Sequence, residues 1–238
     1  MMNIASNLSR NVALFPDKTV IHFGKQQVSY AQLDAAASQL ANGLRGLGIG
    51  KGDKVALSCP NLPYFPIAYY AILKLGAIVV PLNILLKAPE IAYHLRDSDA
   101  GVFLCFEGSA ELPMGEEGWE AFGQVDSCEH FFLMPAGATR QGPLADCPVL
   151  DLLLQGQLAS SHIEPMLPDD TAVILYTSGT TGTPKGAELS HANLAMNAMA
   201  CVALTKLDAR DVQLIALPLF HTFGQTVQMN ATILCGGS

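Results

Sequence analysis

Basic residues are scarce in this sequence. Lys and Arg number 13 against 21 Asp and Glu, a net charge of −8, and no window gathers the cations as a polyanion would require. Nucleic acid and anionic membrane surfaces are therefore not expected partners. Charge of either sign is thin, at 14%, while 50% of residues are hydrophobic, which excludes a disordered or coiled-coil protein. The 21 Gly and 14 Pro are ordinary counts without period, so a collagen-like chain is excluded as well. Six cysteines are scattered and form no C-x-x-C pair, so buried thiols in a reducing compartment are expected rather than a disulfide framework. Cys128 and His130 flank Glu129, but no second Cys/His pair follows at finger spacing, and no metal site is assigned there. Long uninterrupted apolar runs are also missing. The mean hydropathy is +0.30, yet the most apolar stretch, residues 67–86, is broken by Lys74, Gly76, Pro81 and Asn83. It falls short of the roughly 18 residues that a spanning helix needs, and a buried helix followed by a buried strand is expected. The first 16 residues carry Asn3, Ser6, Asn7, Ser9, Arg10 and Asn11 and lack the apolar centre of a signal peptide, so the cytoplasm is the expected location.

What the sequence does contain is an alternation of strand and helix patterns. Its 238 residues fit one large domain or two small ones. Residues 19–23 and 27–30 predict a small hairpin. Ser29 and Gln32 form a capping pair ahead of Leu33, Ala37, Leu40, Leu44 and Leu47, whose spacing predicts a helix ended by Gly46 and Gly48. There follow a strand at 54–59, a helix at 63–75, a strand at 77–81, a helix at 89–97 and a strand at 102–105. An acidic, poorly patterned helix or loop at 111–122 precedes a strand at 130–134. The strands run apolar without alternation, as strands buried on both faces do. The fold class expected is α/β, with parallel sheets flanked by helices. Loose stretches at 135–148 and 160–170 place the expected boundary between a first subdomain, 1–162, and the start of a second, 163–238. No internal repeat or low-complexity tract is present.

The chemistry concentrates between Thr171 and Leu194, which read TAVILYTSGTTGTPKGAELSHANL. An apolar strand at 172–176 runs into Thr177, Ser178, Gly179, Thr180, Thr181, Gly182, Thr183, Pro184 and Lys185. Glycines let backbone amides approach an anion, hydroxyls donate to phosphate oxygens, and Lys185 supplies a cation. A Walker loop would have Gly before its Lys and Ser or Thr after it. Here Pro184 precedes and Gly186 follows, so this is a phosphate loop of another kind.

This segment resembles the signature of the adenylate-forming superfamily, which includes acyl-CoA synthetases, luciferases and peptide-synthetase adenylation domains. Ser190-His191-Ala192-Asn193-Leu194 and Pro218-Leu219-Phe220-His221-Thr222-Phe223-Gly224 resemble its neighbouring motifs. Val28 to Leu33 and Leu73 to Asn83 resemble its earlier ones, so the likeness extends along essentially the whole chain, in order. The ending Pro81-Leu82-Asn83 and the pair Thr180-Thr181 look more like fatty acyl-CoA ligases than peptide-synthetase domains. The resemblance implies two steps, in which a carboxylate attacks the α-phosphate of ATP and the thiol of coenzyme A then displaces AMP from the acyl adenylate. It implies that residues 177–185 hold the β- and γ-phosphates, with Thr177 the candidate Mg²⁺ ligand and Lys185 and His221 the candidate catalytic residues. His221 would line the junction of acyl and nucleotide pockets, a packed core histidine being the competing reading. His191 reads as a structural residue of a helix start, and His22, His94, His130 and His162 as structural.

The family's adenine, ribose and C-terminal lysine motifs are absent from these residues, so the chain is expected to be the N-terminal part of a longer enzyme and inactive alone. Self-association into a homo-oligomer is expected of its apolar surface. The alternatives are a non-catalytic nucleotide-binding module and another adenylate-forming enzyme, such as an aryl-CoA ligase.

Overall fold

In the computed structural model, residues 2–137, 144–177 and 182–238 are described. Helix α1 (Ser6–Leu14) leads into the antiparallel hairpin of β1 (Thr19–Phe23) and β2 (Gln26–Ser29), a sheet of its own. The hairpin turns at Gly24, where φ is +58°, a conformation that costs glycine nothing. Helix α2 (Tyr30–Gly46) starts at the capping box expected for it. The Gln32 amide donates to Ser29 Oγ at 3.2 Å, and the Ser29 amide donates to Gln32 Oε1 at 2.9 Å.

From there strands and helices alternate: β3 (Lys54–Ser58), α3 (Tyr64–Lys74), β4 (Ile78–Pro81), α4 (Ala88–Ser98), β5 (Ala100–Phe106), α5 (Met114–Phe122), β6 (His130–Met134), α6 (Asp151–Leu154) and β7 (Thr171–Thr177). Strand β8 (Lys185–Ser190), helix α7 (His191–Thr205), a π-helix (Phe223–Asn230) and α8 (Ala231–Cys235) complete the chain. Six strands form one sheet in the order β6-β5-β3-β4-β7-β8, with every pairing parallel except β7 with β8. The two subdomains expected on either side of residue 162 share this sheet.

The central strands are buried on both faces, and successive residues join opposite cores. Val55, Leu57, Val102 and Leu104 pack on the side of α1, α2, α3 and α6. Ala56, Phe103, Cys105 and Leu133 pack on the side of α4 and α5. The weakly patterned acidic segment is a helix, and glycines stand where α5 packs closely against its neighbours. A Cβ on Gly118 would lie 2.8 Å from Cys105 Sγ, and one on Gly115 2.9 Å from Leu144 Cδ1. Cys59, Cys105 and Cys128 are buried thiols. Among the described residues no helix is long and apolar enough to cross a membrane.

Two elements depart from the expected series. Helix α1 falls in a stretch that the sequence marks only as unlike a signal peptide, and no strand is expected where β8 lies. Strand β8 reads KGAELS and lacks the β-branched and aromatic residues that favour strands. Its extended form comes from its neighbour, through a ladder running from Thr171 opposite Ser190 to Thr177 opposite Lys185. The sheet is consequently mixed rather than wholly parallel.

Candidate active site

The ladder between β7 and β8 determines where the expected phosphate loop opens. Thr177 ends β7, Lys185 begins β8, and the two are direct cross-strand partners. The loop thus leaves and re-enters the sheet at one point, with the Thr177 hydroxyl beside the Lys185 stem. Both side chains are exposed, and among the described residues Lys185 makes no ion pair. Ser178, Gly179, Thr180 and Thr181 lie outside the described residues. Gly182 follows with φ +87°, and Thr183 is exposed.

Helix α4 anchors the returning limb. The Tyr93 hydroxyl donates to the Pro184 carbonyl at 2.8 Å, while Tyr176, the last residue but one of β7, donates to Asp97 Oδ2 at 2.7 Å. Burial, with the Asp97 carboxylate beside it, holds the Tyr176 phenol above its ordinary pKa, so it stays a neutral donor. His94 packs edge-on against Tyr176 with ring centroids 4.2 Å apart and bonds through Nδ1 to the Glu90 carbonyl at 2.6 Å. Tyr93, His94 and Tyr176 thus form a stiff aromatic wall behind the loop.

In front of that wall lies a cavity of about 620 Å³. Pro81, Leu82 and Asn83 enter it from the carboxyl end of β4, Leu175, Tyr176 and Thr177 from that of β7, and Gly182 and Pro184 from the loop. Leu86, Pro89, Glu90, Tyr93 and His94 line one side and Phe220, His221 and Thr222 the other. A crevice outside the carboxyl ends of parallel strands is where α/β sheets place ligands. His221 is exposed into this space instead of packed in the core. Its Nδ1 accepts the Phe223 amide at 3.3 Å, so the neutral ring carries its proton on Nε2 and presents a donor.

Of the expected site residues, Thr177, Gly182, Pro184 and His221 therefore meet around one cavity, and Lys185 stands at its rim as the ladder partner of Thr177. Sequence reasoning took His94 as structural and gave Glu90 and Tyr93 no role at the site. Helix α4 meets the loop only through long-range packing, which local patterns do not report. His191 is the helix-start residue expected, fully buried at the first position of α7.

A resident metal has little to bind here. Among the described residues no three His, Cys, Asp or Glu gather as ligands, and Thr177 offers a single neutral hydroxyl. That suits Mg²⁺, which keeps most of its coordination from water and substrate phosphates.

Residues 8–238 match the family model described as AMP-binding enzyme. The chain is 33% identical over 233 residues to a feruloyl-CoA synthase of an Amycolatopsis species, spanning 96% of this chain and 42% of that protein. It is 34% identical to the long-chain-fatty-acid–CoA ligase FadD13 of Mycobacterium tuberculosis, spanning 84% of this chain and 37% of that one. Among solved structures, the anthranilate CoA ligase AuaEII in complex with anthranoyl-AMP superposes with a TM-score of 0.89 at 27% identity, over 99% of this chain and 44% of its own. ATP-bound MatB from Rhodopseudomonas palustris gives 0.84 at 29% identity, over 100% and 44%. The chain spans less than half the length of these relatives.

Proposed function

The chain belongs to the AMP-binding enzyme family, and from that membership we propose that it supplies the phosphate-binding and acid-facing part of an ATP-dependent acid–CoA ligase. The carboxylate oxygen of the acid attacks the α-phosphorus of ATP, the bond to the β-phosphate oxygen breaks, and pyrophosphate leaves. The sulfur of coenzyme A then attacks the acyl carbon, the acyl–oxygen bond breaks, AMP departs, and the thiol proton goes to solvent. A free carboxylate is a poor electrophile, and the adenylate gives it a leaving group.

The observation that carries this reading is the pairing of Thr177 with Lys185 at the rim of a cavity lined by His221. Lys185 would neutralise charge on the β- and γ-phosphates, which is the main task in chemistry of this kind. Gly182 and Thr183 would turn backbone and hydroxyl donors toward the same oxygens, together with Ser178, Gly179, Thr180 and Thr181. Mg²⁺ entering with ATP would add further neutralisation, with the Thr177 hydroxyl as its candidate protein ligand. His221, with its proton on Nε2, would donate to a carboxylate oxygen and orient the acid toward the nucleotide. Tyr93 would hold the returning limb at Pro184 so that these groups need no reorganisation.

The acid is proposed to place its body along the apolar walls of Leu82, Leu86, Leu175 and Phe220. Pro81-Leu82-Asn83 favours a fatty acyl chain. The relatives' names also include indoleacetate and crotonobetaine or carnitine, so an aryl or polar acid suits the same scaffold. The cytoplasm, reducing and supplied with ATP, suits the buried thiols.

The test is ATP–pyrophosphate exchange by the protein expressed from its complete reading frame, across a panel of carboxylic acids. Acid-dependent exchange is expected for wild type. Acid-independent ATP hydrolysis without exchange would contradict the ligase.

A further inference from the structure

His94 lines the cavity with only 5% of its surface exposed. Its Nδ1 lies 2.6 Å from the Glu90 carbonyl, which can only accept, so Nδ1 carries the proton of the neutral ring. Nε2 is then a bare lone pair. It has no hydrogen-bond partner among the described residues and is not closed off by protein, so it opens on the cavity that the residue lines. Tyr176 packs against the ring at 4.2 Å between centroids and Tyr93 at 5.5 Å, both edge-on, which holds it in this orientation. A base whose second nitrogen is fixed by a third group is the arrangement that activates nucleophiles.

No other titratable group of this lining offers such an acceptor. Those that face the space are Glu90 and Tyr93 from α4 itself, Tyr176 from β7, with Asp97 bonded to it, and His221 from the opposite side. Burial and the Asp97 carboxylate raise the pKa of both phenols, which direct their protons at the Pro184 carbonyl and Asp97 Oδ2. His221 carries its proton on Nε2, because its Nδ1 accepts the Phe223 amide. Glu90 is a carboxylate, a far weaker base than a thiol requires, and one of its oxygens already accepts the Lys87 amide at 2.9 Å. His94 Nε2 is the imidazole lone pair that remains.

We infer that His94 is the base of the second step, taking the proton of the coenzyme A thiol as its sulfur attacks the acyl carbon. This rests on the ligase proposed above and adds a catalytic residue to it. With the carboxyl end of the acid oriented by His221 on one side of the cavity, the thiol reaches the acyl carbon from the side of α4. The S–H bond breaks and leaves its electron pair on sulfur, and the S–C bond forms. The bond from the acyl carbon to the adenylate oxygen breaks, its pair leaving with AMP. The proton rests on His94 Nε2 and passes from there to solvent. A thiol is only roughly a few per cent ionised at neutral pH, so the step gains from a base. The first step needs none, since the acid enters as a carboxylate.

The experiment separates the two steps in the protein from its complete reading frame, comparing wild type with His94→Gln and with His94→Phe, which keeps a ring between Tyr93 and Tyr176. ATP–pyrophosphate exchange without coenzyme A reads the first step. Single-turnover thioester formation from the preformed acyl adenylate reads the second. At neutral pH both variants should lose about a hundredfold or more in thioester formation and far less in exchange. Wild-type thioester formation should level off near neutral pH, where a histidine has given up its proton. The variants should instead climb about tenfold per pH unit until about 8.5, where the thiol ionises unaided. The wild-type curve decides the matter even if neither variant folds. Equal losses in both steps, thioester formation unchanged in both variants, a deficit that does not shrink with rising pH, or a wild-type rate that climbs to the ionisation of the thiol would each overturn the inference alone. No exchange by wild type with any acid would take down the ligase reading, and the inference with it.

Discussion

Lys74 interrupts the most apolar run of the sequence, yet it is only 1% exposed, its ammonium 2.9 Å from Asp34 Oδ1 and 3.0 Å from Ser38 Oγ. Ser9 donates to the same Asp34 oxygen, so the network ties α1, α2 and α3. Removing one partner of a buried pair leaves a charge uncompensated, at about 3–5 kcal/mol, whereas an apolar replacement of similar length is often close to neutral. Asp34→Ala is therefore expected to destabilise by that amount and Lys74→Met by much less, as read from denaturant midpoints. His191 gives a pH dependence. Its Nδ1 accepts the Ile4 amide at 3.3 Å, and its Nε2 has no hydrogen-bond partner among the described residues. Burial lowers its pKa to about 4, aided by Lys51 and opposed by Asp170. Between that value and the ordinary 6.5 the unfolded chain binds the proton and the fold does not. The stabilisation is thus complete above about pH 6.5 and lost as pH falls toward 4, to a total of about 3 kcal/mol. His191→Gln should flatten that part of the stability profile, and an unchanged slope would assign it to other groups. The sequence told where these two residues lie but not that each would be buried with named partners, because those partners are distant in the chain.

At the scale of elements, legibility followed the locality of the signal. Helix α2 was readable because Ser29, Gln32 and its leucines carry cap and period within one segment. β8 was not, because its conformation is imposed by β7, and the wall of Tyr93, His94 and Tyr176 exists only once α4 has packed against the hairpin. The residues proposed as a phosphate loop stand out by composition, and the ladder added that Thr177 and Lys185 are neighbours. Two substitutions test that hairpin. With Lys185 holding the phosphates as proposed, Lys185→Ala would remove a charge-assisted contact of about 1.5–3 kcal/mol, and ATP use should weaken about ten- to a hundredfold with the fold retained. Tyr93→Phe frees the Pro184 carbonyl, a net loss near 1 kcal/mol, and should raise the KM for ATP about fivefold. Steady-state kinetics at varied ATP separates the two, and an unchanged KM in Tyr93→Phe would detach α4 from the loop.

Across the whole molecule, parallel strands flanked by helices were legible from the alternation of apolar strands and amphipathic helices, although the antiparallel edge and the single sheet shared by both expected subdomains were not. The role of α1 was also hidden, since its partners lie at the far end of the chain. Arg10 and Asn11 donate to the carbonyls of Leu234 and Ile233, and Tyr30 to that of Gly237 at 2.7 Å. Beyond that tie several large apolar side chains are exposed: Met196 is 67% exposed, Leu204 83%, Val212 68% and Leu214 83%. Exposed apolar side chains of this size favour association when they adjoin. Sedimentation velocity of the 238-residue chain is expected to show concentration-dependent self-association, reduced by Leu204→Lys with Leu214→Lys, and a monomer at every concentration would contradict it. The acyl-adenylate step itself is tested most directly by isotope transfer. With the carboxylate of an accepted acid labelled with ¹⁸O, and ATP and coenzyme A unlabelled, the protein from its complete reading frame should release AMP carrying one ¹⁸O. The acid's oxygen remains on phosphorus when the thiol takes the acyl group. Label found in inorganic phosphate with unlabelled AMP, or thioester formed with no label in any phosphate product, would contradict the assignment.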